Sequence, residues 1–174
     1  MILSIISAIA NNNEIGMKNE LLWDLPIDMK HFRETTTNHP VIMGQRTFES
    51  LGTDSNGLAG KPLPNRRNIV LTLDKNFERD NVETYYSIEE LEKALNDTMG
   101  KDEEAFIIGG GQIYKLFIEK ADRLYITHVN EEFKNADTFF PIIDKDKWGK
   151  ISEDKHIKDE KNIYDCNFVI YKRK

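Results

Sequence analysis

Residues Ile15 to Phe32 read IGMKNELLWDLPIDMKHF, and the fold and the chemistry of the chain turn on this stretch. Its first half carries Gly16 and Asn19, residues of a loop. Pro26 then suits the first position of a helix, because a helix start leaves that N–H unpaired in any case. A helix is therefore predicted from about Leu25. Along it Leu25, Asp28, Met29 and Phe32 follow the i, i+3, i+4, i+7 spacing of one helix face, so Asp28 is the lone carboxylate on an apolar stripe. A carboxylate aimed at the interior costs several kcal/mol unless it is paired, roughly the penalty of a buried lone ion. Two readings stand: Asp28 is solvated in the first turn and favoured by the helix dipole, or it faces a partner, either another side chain or a ligand. Leu21, Leu22 and Trp23 favour the ligand. Three large apolar groups in a loop beside Gly16 and Asn19 suit a cover over a bound molecule better than a solvated turn.

Outward from this stretch, the 174 residues are enough for one domain, 1–174, with a continuous core that needs no metal or disulfide. A net charge of −6 is a poor footprint for nucleic acid or anionic lipid, so neither partner is expected. Cys166 is the only cysteine, which excludes an internal disulfide and a cysteine zinc site and suits a reducing cytoplasm. The opening MILSIISAIA is apolar but has no basic start and no small-residue cleavage pattern, so it reads as a buried strand. Nothing later approaches the length of a membrane span, and a soluble protein is expected.

In order along the chain, the helix fades through Glu34 to Thr36 and breaks at Asn38-His39-Pro40. PVIMG is a strand ending in Gly44, and QRTFESLG a short helix closed by Gly52 with Arg46 and Thr47 at its start. Those two residues are either solvated or positioned to hold a phosphate. TDSNGLAG is an exposed loop. Arg66 and Arg67 enter the strand NIVLT; they either solvate its edge or fork onto a carboxylate. Thr72 falls at that strand's carboxyl end, where open α/β sheets place ligand contacts. VETYY is a strand, and SIEELEKALND a helix with Ser87 and Glu90 at capping-box spacing. A strand over Ala105 to Ile108 then empties into Gly109, Gly110 and Gly111 before a helix with Ile113, Leu116 and Phe117 inward. Such a turn either serves packing or lets a backbone approach pyrophosphate closely. Tyr114 stands where a Rossmann fingerprint needs its last glycine. Thr127 ends the strand RLYIT, and His128 reads as a satisfied histidine rather than a base. The four histidines are scattered without metal-ligand spacing. Two alternating segments in the tail complete an α/β fold: one domain, a mostly parallel mixed sheet of about eight strands, antiparallel strands at the C-terminus, and flanking helices.

SIISAIA, IGMKNELLWDLPIDMKHF, PVIMGQRTFES, KPLPNRRNIVLT, FIIGGGQIY, LYITHV and TFFP occur in that order along nearly the whole chain. Together they resemble dihydrofolate reductase of the bacterial chromosomal type. The resemblance implies reduction of 7,8-dihydrofolate to 5,6,7,8-tetrahydrofolate by NADPH, with hydride to C6 and a proton to N5. It also implies a role in one-carbon metabolism, a cytoplasmic monomer and a target of antifolates. On the substrate side it makes Asp28 the partner of the pterin's amino and ring N–H edge, supported by Trp23 and Thr127. Ile6, Met29, Phe32 and Leu51 would wall the pterin and benzoyl rings, and Arg66 would pair with the glutamate α-carboxylate. NADPH would lie against Ala8, Ile15, Gly16, Asn19 and Leu21, with Ile108, Gly109, Gly110, Gly111, Gln112 and Ile113 under its pyrophosphate and Tyr114 near its nicotinamide. Arg46 and Thr47 would take its phosphates, and Thr72 would lie near the adenosine 2′-phosphate. The loop Gly16 to Leu22 would close over the nicotinamide and exclude water.

The chain departs from that pattern in three places. Leu22 stands where proline often precedes the family's tryptophan. Gln45 and Gln112 stand where many members carry arginine near the 2′-phosphate, which leaves the preference for NADPH resting on Arg46. The loop TDSNGLAG is longer than in many bacterial members. Two other readings share some features: a pyrimidine reductase of riboflavin synthesis, which has no reason to keep WDLPID, and a non-catalytic nucleotide-binding module, which leaves Asp28 without a partner.

Overall fold

The run Ile2–Ile9 forms β1, and in the computed structural model, which describes residues 1–174, it lies in the interior of an eight-stranded sheet. Its neighbours β6 (Glu104–Gly109) and β7 (Arg123–Val129) both run parallel to it. On one side the sheet continues in parallel through β3 (Val41–Gly44), β4 (Asn68–Leu71) and β5 (Val82–Tyr85). On the other, β10 (Cys166–Arg173) pairs antiparallel with β7, and β9 (Trp148–His156) antiparallel with β10. The order is β5-β4-β3-β6-β1-β7-β10-β9, so the predicted mixed sheet is present and β10 alone runs against the rest.

Side-chain alternation sends successive residues of each inner strand to opposite faces. Ile5, Ile42, Ile69 and Ile107 share one cluster with Leu91 and Leu95 of α3 (Ile88–Thr98) and Phe117 of α4 (Gly111–Phe117). Ile6, Val41, Met43, Val70 and Phe106 form another with Phe48 of α2 (Gln45–Glu49) and Phe77. Both faces are covered, which is why these strands are apolar throughout rather than alternating.

α1 (Pro26–Thr36) begins where Pro26 predicts. In α3 the Ser87 hydroxyl accepts from the Glu90 N–H at 3.2 Å, as expected, but the Glu90 carboxylate accepts from Tyr86, one residue before the reciprocal position of a capping box. The loop from Thr53 to Ala59 is exposed, as read, apart from half-buried Asp54, while Gly60 at its end is buried against Phe48; the loop closes on itself, the Asp54 carboxylate accepting from the N–H groups of Asn56 and Leu58, both at 2.8 Å.

A separate two-stranded sheet pairs β2 (Glu14–Gly16) with β8 (Thr138–Phe139). Segments this short have no readable period, and the sequence does not announce them. After β2 the chain turns back between Met17 and Glu20 through Lys18 and Asn19, both at positive φ. His128 is satisfied as expected, its Nε2 lying 2.9 Å from the Tyr171 hydroxyl. Cys166 is buried in β10. No helix is long and apolar enough to cross a membrane.

Candidate active site

Because β1, β3, β4, β6 and β7 are parallel, their carboxyl ends lie along one edge of the sheet, the place where open α/β folds gather ligand contacts. The helix face read as inward meets this edge without being packed against it. Leu25 is buried, Asp28 and Phe32 are half-buried and Met29 is 43 % exposed, while Thr36 is the one fully buried residue of the helix itself. The stripe therefore lines an open cleft instead of a core. Ile6, Phe32, Leu51 and Ile108 belong to one apolar cluster beside it.

Asp28 has no cation partner among the ion pairs of the chain. Burial pushes its carboxyl above the ordinary carboxylate value, and the nearby Thr127 hydroxyl pulls the other way. Thr127 pairs with Ala8 on β1 and Phe168 on β10. It does not end its strand as predicted: β7 runs on to Val129 because β10 continues the ladder past the expected boundary. Trp23 is buried against Phe133, ring centroids 5.4 Å apart, and its indole N–H finds no acceptor. An unpaired buried donor costs roughly 1–3 kcal/mol, which a bound water or ligand atom would relieve.

Arg66 and Arg67 divide sharply. Arg67 forks onto Glu83 at 2.6 and 2.7 Å, so of the two readings open for it the fork onto a carboxylate is the one found, and that carboxylate belongs to the neighbouring strand β5. Arg66 is held by neutral oxygens only, Nε to the Thr36 hydroxyl at 2.9 Å and Nη1 to the Pro64 carbonyl at 2.8 Å, with its guanidinium 5.9 Å from the Phe32 ring centre. Burial and the neighbouring Arg33 charge lower its pKa, as befits a cation without a counter-ion.

On the other side of the cleft, α2 and α4 start at the ends of the paired strands β3 and β6, and no side chain caps either start. The two turns touch: a Cβ on Gly110 would come 3.1 Å from the Thr47 hydroxyl, and one on Gly44 would come 3.0 Å from Ile113. Gly109 has φ +123°, and its peptide bond to Gly110 is cis. Tyr114 lies directly beneath it, its buried hydroxyl donating to the Ile6 carbonyl at 2.9 Å; burial raises its pKa. A Cβ on Gly111 would press on Thr138, and Ile15 closes the same side. Asn19 donates to the Arg46 carbonyl at 3.0 Å, tying the loop after β2 to α2. The glycine turns, uncapped N–H groups and adjoining apolar floor fit a dinucleotide. Leu21, 63 % exposed, lines a cavity of about 450 Å³ with Glu132, Phe133 and Lys134.

The profile of the dihydrofolate reductase family matches residues 2–173. The chain belongs to that family. It is 42 % identical over 175 residues to dihydrofolate reductase of Haemophilus influenzae, covering the full length of both, and 40 % identical over 173 residues to dihydrofolate reductase type 3 of Salmonella typhimurium, covering 99 % of each. Among solved structures it is similar to dihydrofolate reductase from Enterococcus faecalis complexed with NADP(H) and RAB-propyl, with a TM-score of 0.86 and 35 % identity over 99 % of this chain and 96 % of that one. As a member of the dihydrofolate reductase family it is an NADPH-dependent oxidoreductase that reduces 7,8-dihydrofolate to tetrahydrofolate.

Sequence reasoning did not single out Glu49 or the link from Thr72 through Gln45 to Glu49. The i, i+4 spacing of Gln45 and Glu49 on a short helix was the available signal.

Proposed function

We propose that the reaction runs in the cleft between α1 and the carboxyl ends of β1, β6 and β7, with Asp28 as the residue that orients the pterin. The observation that carries this is an inward carboxylate with no cation partner on an apolar face left open. Asp28 accepts both N–H groups of the pterin edge, a paired contact of the kind carboxylates make with forked donors. Drawing positive charge toward the ring in this way favours a proton at N5. The Thr127 hydroxyl and the Trp23 indole N–H, the second through water, hold the carboxylate and its surroundings in place. Ile6, Met29, Phe32 and Leu51 flank the rings, and Arg66 takes the α-carboxylate of the glutamate.

NADPH, when bound, supplies the hydride that reaches C6. The residues that fit it are Ala8, Ile15, Gly16, Asn19 and Leu21 on one side and Ile108 to Ile113 under the pyrophosphate. Arg46 and Thr47 meet its phosphates, and Thr72 lies by the adenosine ribose. Tyr114 braces the nicotinamide end through its bond to the Ile6 carbonyl. The Gly16 to Leu22 loop, already tied to α2 by Asn19, excludes water while hydride moves. The unit is one domain, residues 1–174, working as a monomer in the cytoplasm; the buried free thiol of Cys166 suits a reducing compartment.

The test is NADPH oxidation by the purified protein, followed by absorbance with and without dihydrofolate. Oxidation is expected only with both present. Asp28→Asn is expected to lose about 3 kcal/mol or more of transition-state stabilisation. Near wild-type turnover by that variant at neutral pH would overturn the assignment.

A further inference from the structure

α1 carries Asp28, yet the chain leading into it gives its start no cap: Leu25 has an apolar side chain, and Pro26 has no N–H. The first N–H within the helix is that of Ile27, the residue before Asp28. It donates to Asn162 Oδ1 at 2.9 Å, across 135 residues of sequence. Asn162 lies in the connection between β9 and β10 and is 6 % exposed. The N–H groups of Asp28 and Met29 both turn back to the Leu25 carbonyl, at 3.0 and 3.1 Å. The first turn is therefore capped by a side-chain oxygen supplied from elsewhere in the fold.

Asn162 is itself held in place. Its Nδ2 donates to the two oxygens of Asp159 at 3.1 and 3.0 Å, and its backbone N–H donates to Asp159 Oδ1 at 2.8 Å. Asp159 Oδ1 also accepts from the Lys161 N–H at 2.7 Å, and His156 Nε2 lies 2.9 Å from Oδ2. These donors, the Asn162 amide first among them, hold the Asp159 carboxyl well below the ordinary carboxylate range. The amide is thus oriented at both ends, nitrogen toward Asp159 and oxygen toward α1. The turn also closes through its backbone, the Asp159 N–H donating to the Asn162 carbonyl at 2.8 Å, so what the side-chain oxygen adds is the contact with α1.

We propose that Asn162, braced by Asp159, is a positioning residue for the reaction: its cap on Ile27 sets the first turn of α1 and with it the place of the Asp28 carboxylate against the pterin. This rests on the reading of Asp28 given above. A carboxylate that accepts two N–H groups at once tolerates little displacement. Asp28 has no cation partner to steady it, so the backbone behind it must. The residues that fit NADPH lie on other elements, so the cap bears on dihydrofolate and not on the cofactor.

The experiment combines steady-state kinetics in dihydrofolate at saturating NADPH, calorimetric titration of NADPH and melting temperatures. The variants are Asn162→Ala, Asp159→Ala and the double exchange Asp159→Asn with Asn162→Asp. Asn162→Ala is expected to raise KM for dihydrofolate by about three- to thirtyfold, the range of one lost helix cap, and to leave the NADPH Kd within about twofold of wild type. Asp159→Ala leaves the amide in place but unbraced and should raise KM by less, about two- to fivefold; it carries the same test should Asn162→Ala fail to fold. The double exchange turns the pair around: an amide at position 159 donates to a carboxylate at position 162, whose oxygen again meets the Ile27 N–H. KM should return to within about threefold of wild type. A cap that served stability alone would lower the melting temperature and leave KM untouched. That result, a parallel rise of dihydrofolate KM and NADPH Kd, or failure of the double exchange to restore KM would overturn the inference. Asp28→Asn measured alongside separates the two readings. Near wild-type turnover by it means that the role of Asp28 has failed, whereas a crippled Asp28→Asn beside an unaffected Asn162→Ala removes the positioning role alone.

Discussion

Glu14 and Asp28 both turn inward, and their surroundings differ in kind. Glu14, in the small sheet, is 3 % exposed; its carboxylate accepts from the Asn12 N–H at 2.7 Å, the Asn12 amide at 3.2 Å and the Phe133 N–H at 3.1 Å. Burial alone would raise its pKa, but these donors outweigh it and hold the carboxyl below its ordinary range. Asp28, at the start of α1, is also pushed up by burial and has one hydroxyl, that of Thr127, to oppose it. The protein has completed the first acid and left the second open. An interior carboxylate surrounded by backbone donors fixes a fold, whereas one with room for two more donors is prepared for something that arrives from outside.

That contrast can be broken most directly by removing each charge. Asp28→Asn is expected to cost about 3 kcal/mol or more in kcat/KM with little effect on melting temperature. Glu14→Gln should do the reverse: a stability loss of roughly 1–3 kcal/mol in urea unfolding, with turnover of the folded protein largely kept. A Glu14 variant that unfolds no more easily than wild type would show that its donors are not what holds the small sheet in place.

The two arginines sharpen the same point at the other end of α1. Arg66→Ala should raise KM for dihydrofolate by a factor corresponding to about 2 kcal/mol, the range of a hydrogen bond to a charged group, and change kcat little. Arg67→Ala should leave KM unchanged and lower stability by about 0.5–1 kcal/mol, since its partner Glu83 is partly exposed. Equal effects of the two substitutions on KM would erase the distinction.

The smallest effect is in the pH dependence of stability, where the two acids have opposite signs. The folded pKa of Glu14 is depressed, so its contribution is present above its ordinary 4.5 and is lost as pH falls through the folded value. The folded pKa of Asp28 is raised, so the folded state is favoured by its protonated form below the ordinary 3.8, and that advantage disappears as pH rises through the folded value. In urea unfolding across the acid range, the penalty of Glu14→Gln should therefore shrink with falling pH, whereas Asp28→Asn should gain on wild type with rising pH.

The parallel sheet and its ligand edge were legible because each unit carries its own punctuation: an apolar run, a glycine or proline, then a helical pattern. PVIMG before QRTFE and FIIGG before GQIYK are of this kind. Asp28 was legible because one carboxylate interrupts an otherwise apolar helix face. What escaped depends on partners distant in the chain. Glu83 claims Arg67 from 16 residues away, Tyr114 reaches Ile6 across 108, and Glu14 meets Phe133 across 119. No local spacing encodes such pairs. The exposure of Met29 escaped for a related reason: periodicity says which side chains share a face, and only packing says whether anything covers it.

Cys166 has a practical consequence. Its thiol is 3 % exposed, and burial, with the nearby Asp28 charge adding to it, pushes its pKa up to about 11. At neutral pH it is protonated and shielded, so maleimide and iodoacetamide reagents have nothing to attack. With Leu21→Cys the exposed new thiol would be the one labelling handle on the chain, where a single dye would test, molecule by molecule, whether the segment around it opens and shuts.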